Sequence, residues 1–134
     1  MIDQIFSGGS YQAVKQMLDM TAQRHEALAG NIANVETPGY RRADLDKTAV
    51  ADFQSKMREA AGTGNFAGTA KSGHSAMRTV LDADARSLRS DGNNVEIDHE
   101  LLAMSQNTVE YGTLTEFASN SLKCLKMAIT GREA

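Results

Sequence analysis

The stretch Leu28-Ala29-Gly30-Asn31-Ile32-Ala33-Asn34-Val35-Glu36-Thr37-Pro38-Gly39-Tyr40 marks where a long amphipathic helix stops and the chain turns. Pro38, the only proline, biases Thr37 out of the helical region, and Gly39 is free to take a positive φ. Asn31 and Asn34, close to the helix end, are suited to bond freed carbonyls or to adopt left-handed geometry, and Tyr40 supplies a flat anchor beyond the turn. A mere helix stop requires neither two asparagines nor a threonine and an aromatic at fixed offsets.

Backward from this turn, the helix runs from about Tyr11 to Asn34, with Ser10 placed as N-cap after Ser7-Gly8-Gly9. Steps of four and three from Val14 give the seam Val14, Leu18, Thr21, His25, Leu28, Ile32 and Val35. Forward from the turn, a second helix spans about Asp98 to Thr130, roughly 50 Å at 1.5 Å per residue. Asp98 suits the cap, Glu100 the positive helix end, Ile97 and Leu102 a hydrophobic staple, and Gly131 the stop. Its seam reads Ile97, Leu101, Met104, Thr108, Tyr111, Thr115, Ala118, Leu122, Leu125 and Ile129. Leu102, Val109, Leu114, Phe117 and Met127 stand off that seam, and a helix apolar on more than one face has more than one neighbour.

Between the helices, Thr48 to Ala61 reads as a short helix with Val50, Phe53 and Met57 at helical spacing. Gly62 to Ser75 has one large apolar residue, Phe66, and is expected to be mobile or ordered only by neighbours. Ala76 to Leu81 reads as a short extended piece, and Asp82 to Asn94 as polar loop with a turn at Asp91-Gly92-Asn93-Asn94. The expected fold is all-α: an antiparallel coiled-coil pair of N- and C-terminal helices with a short, partly irregular central insert. Residues 1–40 form the first helix and turn, 41–95 the central helix and flexible loop, and 96–134 the last helix, both ends making one discontinuous helical domain. Burial along the seams is small against the backbone entropy of so much helix, so further copies or related chains are expected to complete the contacts.

Composition narrows the function classes. The chain has 134 residues, no Trp, four Phe and three Tyr, too few aromatics to wall a substrate pocket. A net charge of -3, mixed in sign along the chain, lacks the footprint of nucleic-acid binding or of an anionic membrane surface. The start MIDQIFSGGS lacks the pattern of a cleaved signal peptide, and no apolar run reaches membrane-spanning length.

Chemical motifs fail on inspection. His25-Glu26 begins a zinc-protease pattern, but Ala29 stands where the second histidine belongs, and His25, His74 and His99 show no ligand spacing with Cys124. Asp82-Ala83-Asp84-Ala85-Arg86-Ser87 starts like a calcium loop and then places Arg86 at a ligand position. Lys71-Ser72 follows Ala70 where a phosphate loop has glycine. Asp91, Asp98 and Glu100 sit at a helix start, where acids serve capping. No catalytic residue, metal site or cofactor is expected; Cys124 reads as a small hydrophobe.

The turn closely resembles the rod-protein family of the bacterial flagellar basal body, whose pattern N-x-A-N-x-x-T-x-G-aromatic is met by Asn31, Ala33, Asn34, Thr37, Gly39 and Tyr40, with Pro38 between. The resemblance extends to Asp91-Gly92-Asn93-Asn94-Val95, Asn107, Tyr111 and the ending Ala128-Ile129-Thr130-Gly131-Arg132, which look like the short proximal members of that family. Gly30 departs from the pattern, where the family often has Asn. The resemblance implies a structural subunit of the proximal rod, not an enzyme. It implies terminal helices that polymerise into a hollow torque-transmitting and export-conducting tube, with the turn in subunit contacts. It further implies type III export without a cleaved signal, a place in the periplasm, and as partners copies of itself, other rod proteins, the MS ring and its adaptor protein. No nucleic acid, small-molecule substrate or membrane insertion is expected. A free coiled-coil adaptor or chaperone is the alternative, and predicts a discrete soluble oligomer.

Overall fold

The computed structural model describes residues 9–64, 66, 69, 76–82, 85 and 89–131. Among these residues the elements in order are α1 (Gly9–Ala33), β1 (Ala43–Leu45), α2 (Lys47–Thr63), β2 (Thr79–Leu81) and α3 (Ile97–Thr130). Helix α1 as described already includes Ser10, expected as its N-cap. At its far end Asn34 donates its side-chain amide to Gly30 O (2.9 Å), and Gly39 takes φ 72.

Helix α2 owes its start to Asp46, whose carboxylate accepts from the backbone N–H groups of Thr48 and Ala49. Gly64 ends it in left-handed geometry with φ 70, its N–H bonded to Ala60 O. Helix α3 starts one residue before the expected Asp98; Glu96 occupies the cap position without a side-chain bond, and Asp98 and Glu100 fall in the first turn. Gly131, at φ 64, closes α3 as expected.

The all-α expectation gives way to a mostly helical fold with a small sheet. Strands β1 and β2 pair antiparallel, with Ala43 opposite Leu81, Asp44 opposite Val80 and Leu45 opposite Thr79. The extended piece near Ala76 to Leu81 was legible; its partner was not, because three residues are too few to display an alternating pattern. Most of Gly62 to Ser75, expected to be mobile, lies outside the described residues.

The two long helices pack against each other in opposite senses: Asn31 meets Glu100 and Thr21 meets Asn107. Leu28 and Ala103 are buried in the chain's interior. The insert covers one side of α1, where Met20, Leu45, Phe53 and Ala76 form a cluster flanked by Met17, Val50, Met57 and Met77. Phe53, fully buried, contributes about 2–3 kcal/mol of apolar burial.

In α1, Thr21 and Leu28 of the expected seam are buried; Val14, Leu18, Ile32 and Val35 are half-buried, and His25 is exposed. In α3 the fully buried positions are Glu100, Ala103 and Asn107, each one residue before an expected seam residue. Half-buried Leu114, Ala118, Ser121 and Leu125 follow farther along the helix. Met104 is half-buried, while Ile97, Leu101, Thr108, Tyr111, Thr115, Leu122 and Ile129 are exposed. Over residues 100–107 a rotation of about 100°, one residue of helix, separates the most buried positions from the expected seam, whereas Ala118 and Leu125 of that seam are half-buried farther along.

Candidate functional site

The turn after α1 is gripped from a distance. Asn93 is fully buried, and its amide nitrogen donates to Asn34 O (3.0 Å), Val35 O (3.0 Å) and Thr37 O (2.8 Å). Its Oδ1 accepts from Val95 N at 2.8 Å. Asp91-Gly92 aims this side chain: Asp91 Oδ1 accepts from Asn93 N (3.0 Å), Gly92 stands at φ 78, and Gly39 N donates to Asp91 O (2.9 Å). Two N–H protons thus serve three carbonyls of the turn that follows the helix.

Asn31 makes the second clamp. Its Nδ2 donates to Ala43 O and to Glu100 Oε2, both at 2.8 Å, and its Oδ1 accepts from Ala43 N at 2.9 Å. One side chain therefore acts as a strand neighbour to β1 and ties α1 to α3. Tyr40 donates its hydroxyl to Asn31 Oδ1 (3.3 Å), and Thr37 donates to Asn34 Oδ1 (3.2 Å). Asn31, Asn34 and Tyr40 are therefore engaged within the chain, whereas Ala33, Thr37, Pro38 and Gly39 stand at the surface.

Beside this clamp lies a charged cluster. Arg42 Nε donates to Glu100 Oε1 (2.5 Å), Nη1 to Asp82 Oδ2 (2.5 Å) and Nη2 to Asp44 Oδ2 (2.9 Å). Arg24 approaches Asp44 at 3.5 Å and Lys47 approaches Asp82 at 3.0 Å, so three cations balance three carboxylates. Asn94 accepts from Arg42 N (2.6 Å) and donates to Ala85 O (3.0 Å). Burial disfavours the guanidinium charge, but hydrogen bonds and opposite charge from Glu100 and Asp44 outweigh that and hold the Arg42 pKa above its ordinary value. The cluster joins β1, the loop before α3 and α3 itself.

By sequence alone Glu100 reads as an acid at the positive helix end, and no pattern singles out Arg42. Neither residue type reveals from sequence that it is buried. The available signal was Asp91-Gly92-Asn93-Asn94, where two consecutive asparagines follow a turn glycine.

Outside the clasp, α3 carries two open apolar strips. Ile97, Leu101, Tyr111, Leu122 and Ile129 lie on one side; Leu102, Val109 and Phe117 lie on the other, with Val109 71% exposed. Leu114 and Met127 are half-buried. Among the described residues no group of His, Cys, Asp or Glu is arranged to hold a metal ion, and no helix is long and apolar enough to cross a membrane. Cys124 is exposed on α3.

Two long helices clasped at one end, with apolar strips left uncovered, define a helical-hairpin structural subunit. No protein-family model matches the chain. Three relatives share the description flagellar basal body rod protein FlgB. That of Cereibacter sphaeroides (strain ATCC 17029 / ATH 2.4.9) is 31% identical over 121 residues, covering 87% of this chain and 90% of its own length. That of Yersinia enterocolitica is 30% identical over 120 residues, covering 84% and 86%. That of Bacillus subtilis (strain 168) is 27% identical over 127 residues, covering 95% and 97%. The chain belongs to the FlgB family of flagellar basal body rod proteins.

Proposed function

We propose that this chain is a structural subunit of the proximal rod, polymerising with copies of itself and with other rod proteins into a hollow axial tube that transmits torque and conducts exported protein. The observation that carries this reading is the pair of uncovered strips on α3. Leu101 at 49% exposed and Val109 at 71% are ordinary interface residues and poor solvent-facing ones. Family membership of relatives described as rod proteins supports the same reading.

Within the tube, the helix pair is the inner wall, and the strip Ile97, Leu101, Tyr111, Leu122 and Ile129 packs in coiled-coil fashion against neighbouring helices. The two ends act as one discontinuous helical domain, with 41–95 as the outward insert. The exposed rim of the turn, Ala33, Thr37, Pro38 and Gly39, meets the next subunit while Asn31, Asn34 and Tyr40 hold its shape from within. The subunit leaves the cytoplasm by type III export without a cleaved signal, and assembles in the periplasm on the MS ring and its adaptor protein.

Deletion of the gene, complemented by wild type or by the double variant Leu101→Asp, Leu122→Asp, tests this. Wild type is expected to restore rods and motility; the variant, folded in isolation by circular dichroism, is expected to restore neither. Normal rods and swimming in the deletion strain would instead favour a free adaptor or chaperone.

A further inference from the structure

Helix α2 is loosely joined to the rest of the fold. It scarcely approaches α1, α3 or the strands at backbone level and meets them through side chains. Of its 17 residues only Phe53 and Ala60 are buried. Phe53 enters a cluster with Met20, Leu45 and Ala76, and Met17, Val50, Met57 and Met77 pack around it, half-buried. Four of the chain's seven methionines therefore meet at this one joint, supplied by α1, by α2 and by the segment that leads into β2.

The joint is soft by its chemistry. Methionine is unbranched and flexible, and fills irregular gaps without fixing a single packing. Its thioether is also open to hydrogen peroxide: a sulfur lone pair takes one oxygen, the O–O bond breaks and water leaves, so the sulfur loses two electrons and the peroxide gains two. The sulfoxide oxygen is polar and accepts hydrogen bonds. Leu45, Val50, Phe53 and Ala76 offer it no side-chain donor, so it either stays unpaired in the cluster or turns to water and draws its side chain out. Both results undo the cushion under α2. Met20, only 6% exposed, is shielded while α2 is docked, whereas Met17, Met57 and Met77 reach the surface.

The rest of the fold is held by groups that contain no sulfur. Asn93 grips the turn, Asn31 joins α1 to β1 and to α3, and Arg42 joins β1 to α3. We infer that Met17, Met57 and Met77 are sites of oxidative modification by peroxide, and that their sulfoxides undock α2 while the helix pair stays closed. Met20 is oxidised later, once α2 has left. Methionine sulfoxide reductases, one for each sulfur epimer, reverse the change. The device works within one chain and does not depend on the rod reading.

Treatment of the full chain with hydrogen peroxide in a Cys124→Ser background, followed by peptide mass spectrometry and amide hydrogen exchange, tests this. Sulfoxide is expected at Met17, Met57 and Met77 ahead of Met20. Amides of residues 51–60 are expected to exchange at least about tenfold faster, and those of residues 100–107 to stay within about twofold of the untreated protein. An isolated helix of 17 residues frays in water, so undocking shows directly as lost protection. Repair by both reductases is expected to restore it. The triple variant Met17→Leu, Met57→Leu, Met77→Leu, close to wild type in side-chain volume, is expected to keep α2 protected through the same treatment, and the double variant Met104→Leu, Met127→Leu to lose protection as wild type does. Unchanged exchange in α2 with all three methionines oxidised, Met20 oxidised as fast as they are, or protection lost at residues 100–107 together with α2 would overturn the inference. So would a folded triple variant whose α2 still opens under peroxide. Should the triple variant fail to fold by circular dichroism, the wild-type oxidation and repair measurements decide alone, and an α2 that stays open after repair counts against the inference.

Discussion

Replacing Asn93 by alanine removes a side chain that makes four hydrogen bonds from a fully buried position. The three carbonyls are not equally stranded by this. Asn34 O keeps Thr37 N, Thr37 O keeps Tyr40 N, and Val35 O keeps the guanidinium of Arg89. Val95 N loses its Asn93 acceptor inside a buried segment, at about 1–3 kcal/mol, and the loosened carbonyls add about 1 kcal/mol together. The expected loss is about 2–4 kcal/mol, a large fraction of the ~5–15 kcal/mol that holds a domain. With a urea slope of about 2 kcal/mol/M, the midpoint followed by helical circular dichroism drops by about 1–2 M at unchanged slope. Asn93→Asp sharpens the test, because it keeps the acceptor for Val95 N but turns a carboxylate toward three carbonyls. At neutral pH it is expected to be at least as damaging as alanine, and to recover part of the loss on acidification, when the protonated acid can donate. Amide exchange at Gly39 and Tyr40 is expected to accelerate in both variants. A midpoint shift below about 0.3 M for alanine, or an aspartate variant as stable as wild type at neutral pH, would refute the clasp as described.

Arg42→Met leaves Glu100, Asp44 and Asp82 facing one another without their central cation and is expected to cost about 3–5 kcal/mol at neutral pH. Urea unfolding at about pH 7 measures the loss, and a variant within about 1 kcal/mol of wild type would contradict it. Asp46 has its pKa lowered by the Thr48 hydroxyl and then by the backbone N–H groups of Ala49 and Thr48. Its capping contribution is therefore complete above the ordinary value of 3.8 and lost as pH falls through the lower folded value. Asp46→Asn keeps an acceptor for the cap and is expected to flatten that part of the acid limb of thermal stability, while Asp46→Ala lowers the melting temperature at neutral pH. Gly30→Ala is expected to stabilise by about 0.5–1 kcal/mol, because the new Cβ meets only the Tyr40 hydroxyl at 3.8 Å and the helix gains propensity. Gly39→Ala, in open space but at φ 72, is expected to destabilise by about 1 kcal/mol; equal melting temperatures for the two alanine variants would contradict both expectations.

Helix limits were legible because single residues set them: Pro38 and Gly39 end the first segment, and Gly131 stops the last. The register of α3 was not. An apolar stripe such as Ile97, Leu101 and Leu122 reports that a face seeks cover without naming what covers it, and within one chain the covered face carries Glu100, Ala103 and Asn107. Polar residues at buried positions are silent in any hydrophobic pattern. Thus Glu100 reads as a helix-end acid and Asn93 as a turn former, and only partners from distant segments show what they hold. The motif asparagines pointed to the right place, but which bonds they make depends on Ala43 and Glu100, 12 and 69 residues away.

That separation has a consequence for order in time. The partners that finish the first helix lie far downstream: Asn93 reaches back across 59 residues to Asn34, Glu100 across 69 to Asn31, and Asn107 across 86 to Thr21. A chain emerging amino-terminus first presents the turn after α1 without its Asn93 clasp, and the inner face of α1 bare, until about three-quarters of the sequence is present. Closure is then a single late event in which the turn, the charged cluster and the helix pair are completed together by one short stretch, Asn93 to Asn107. The first helix thus waits for its downstream partners until most of the chain is present.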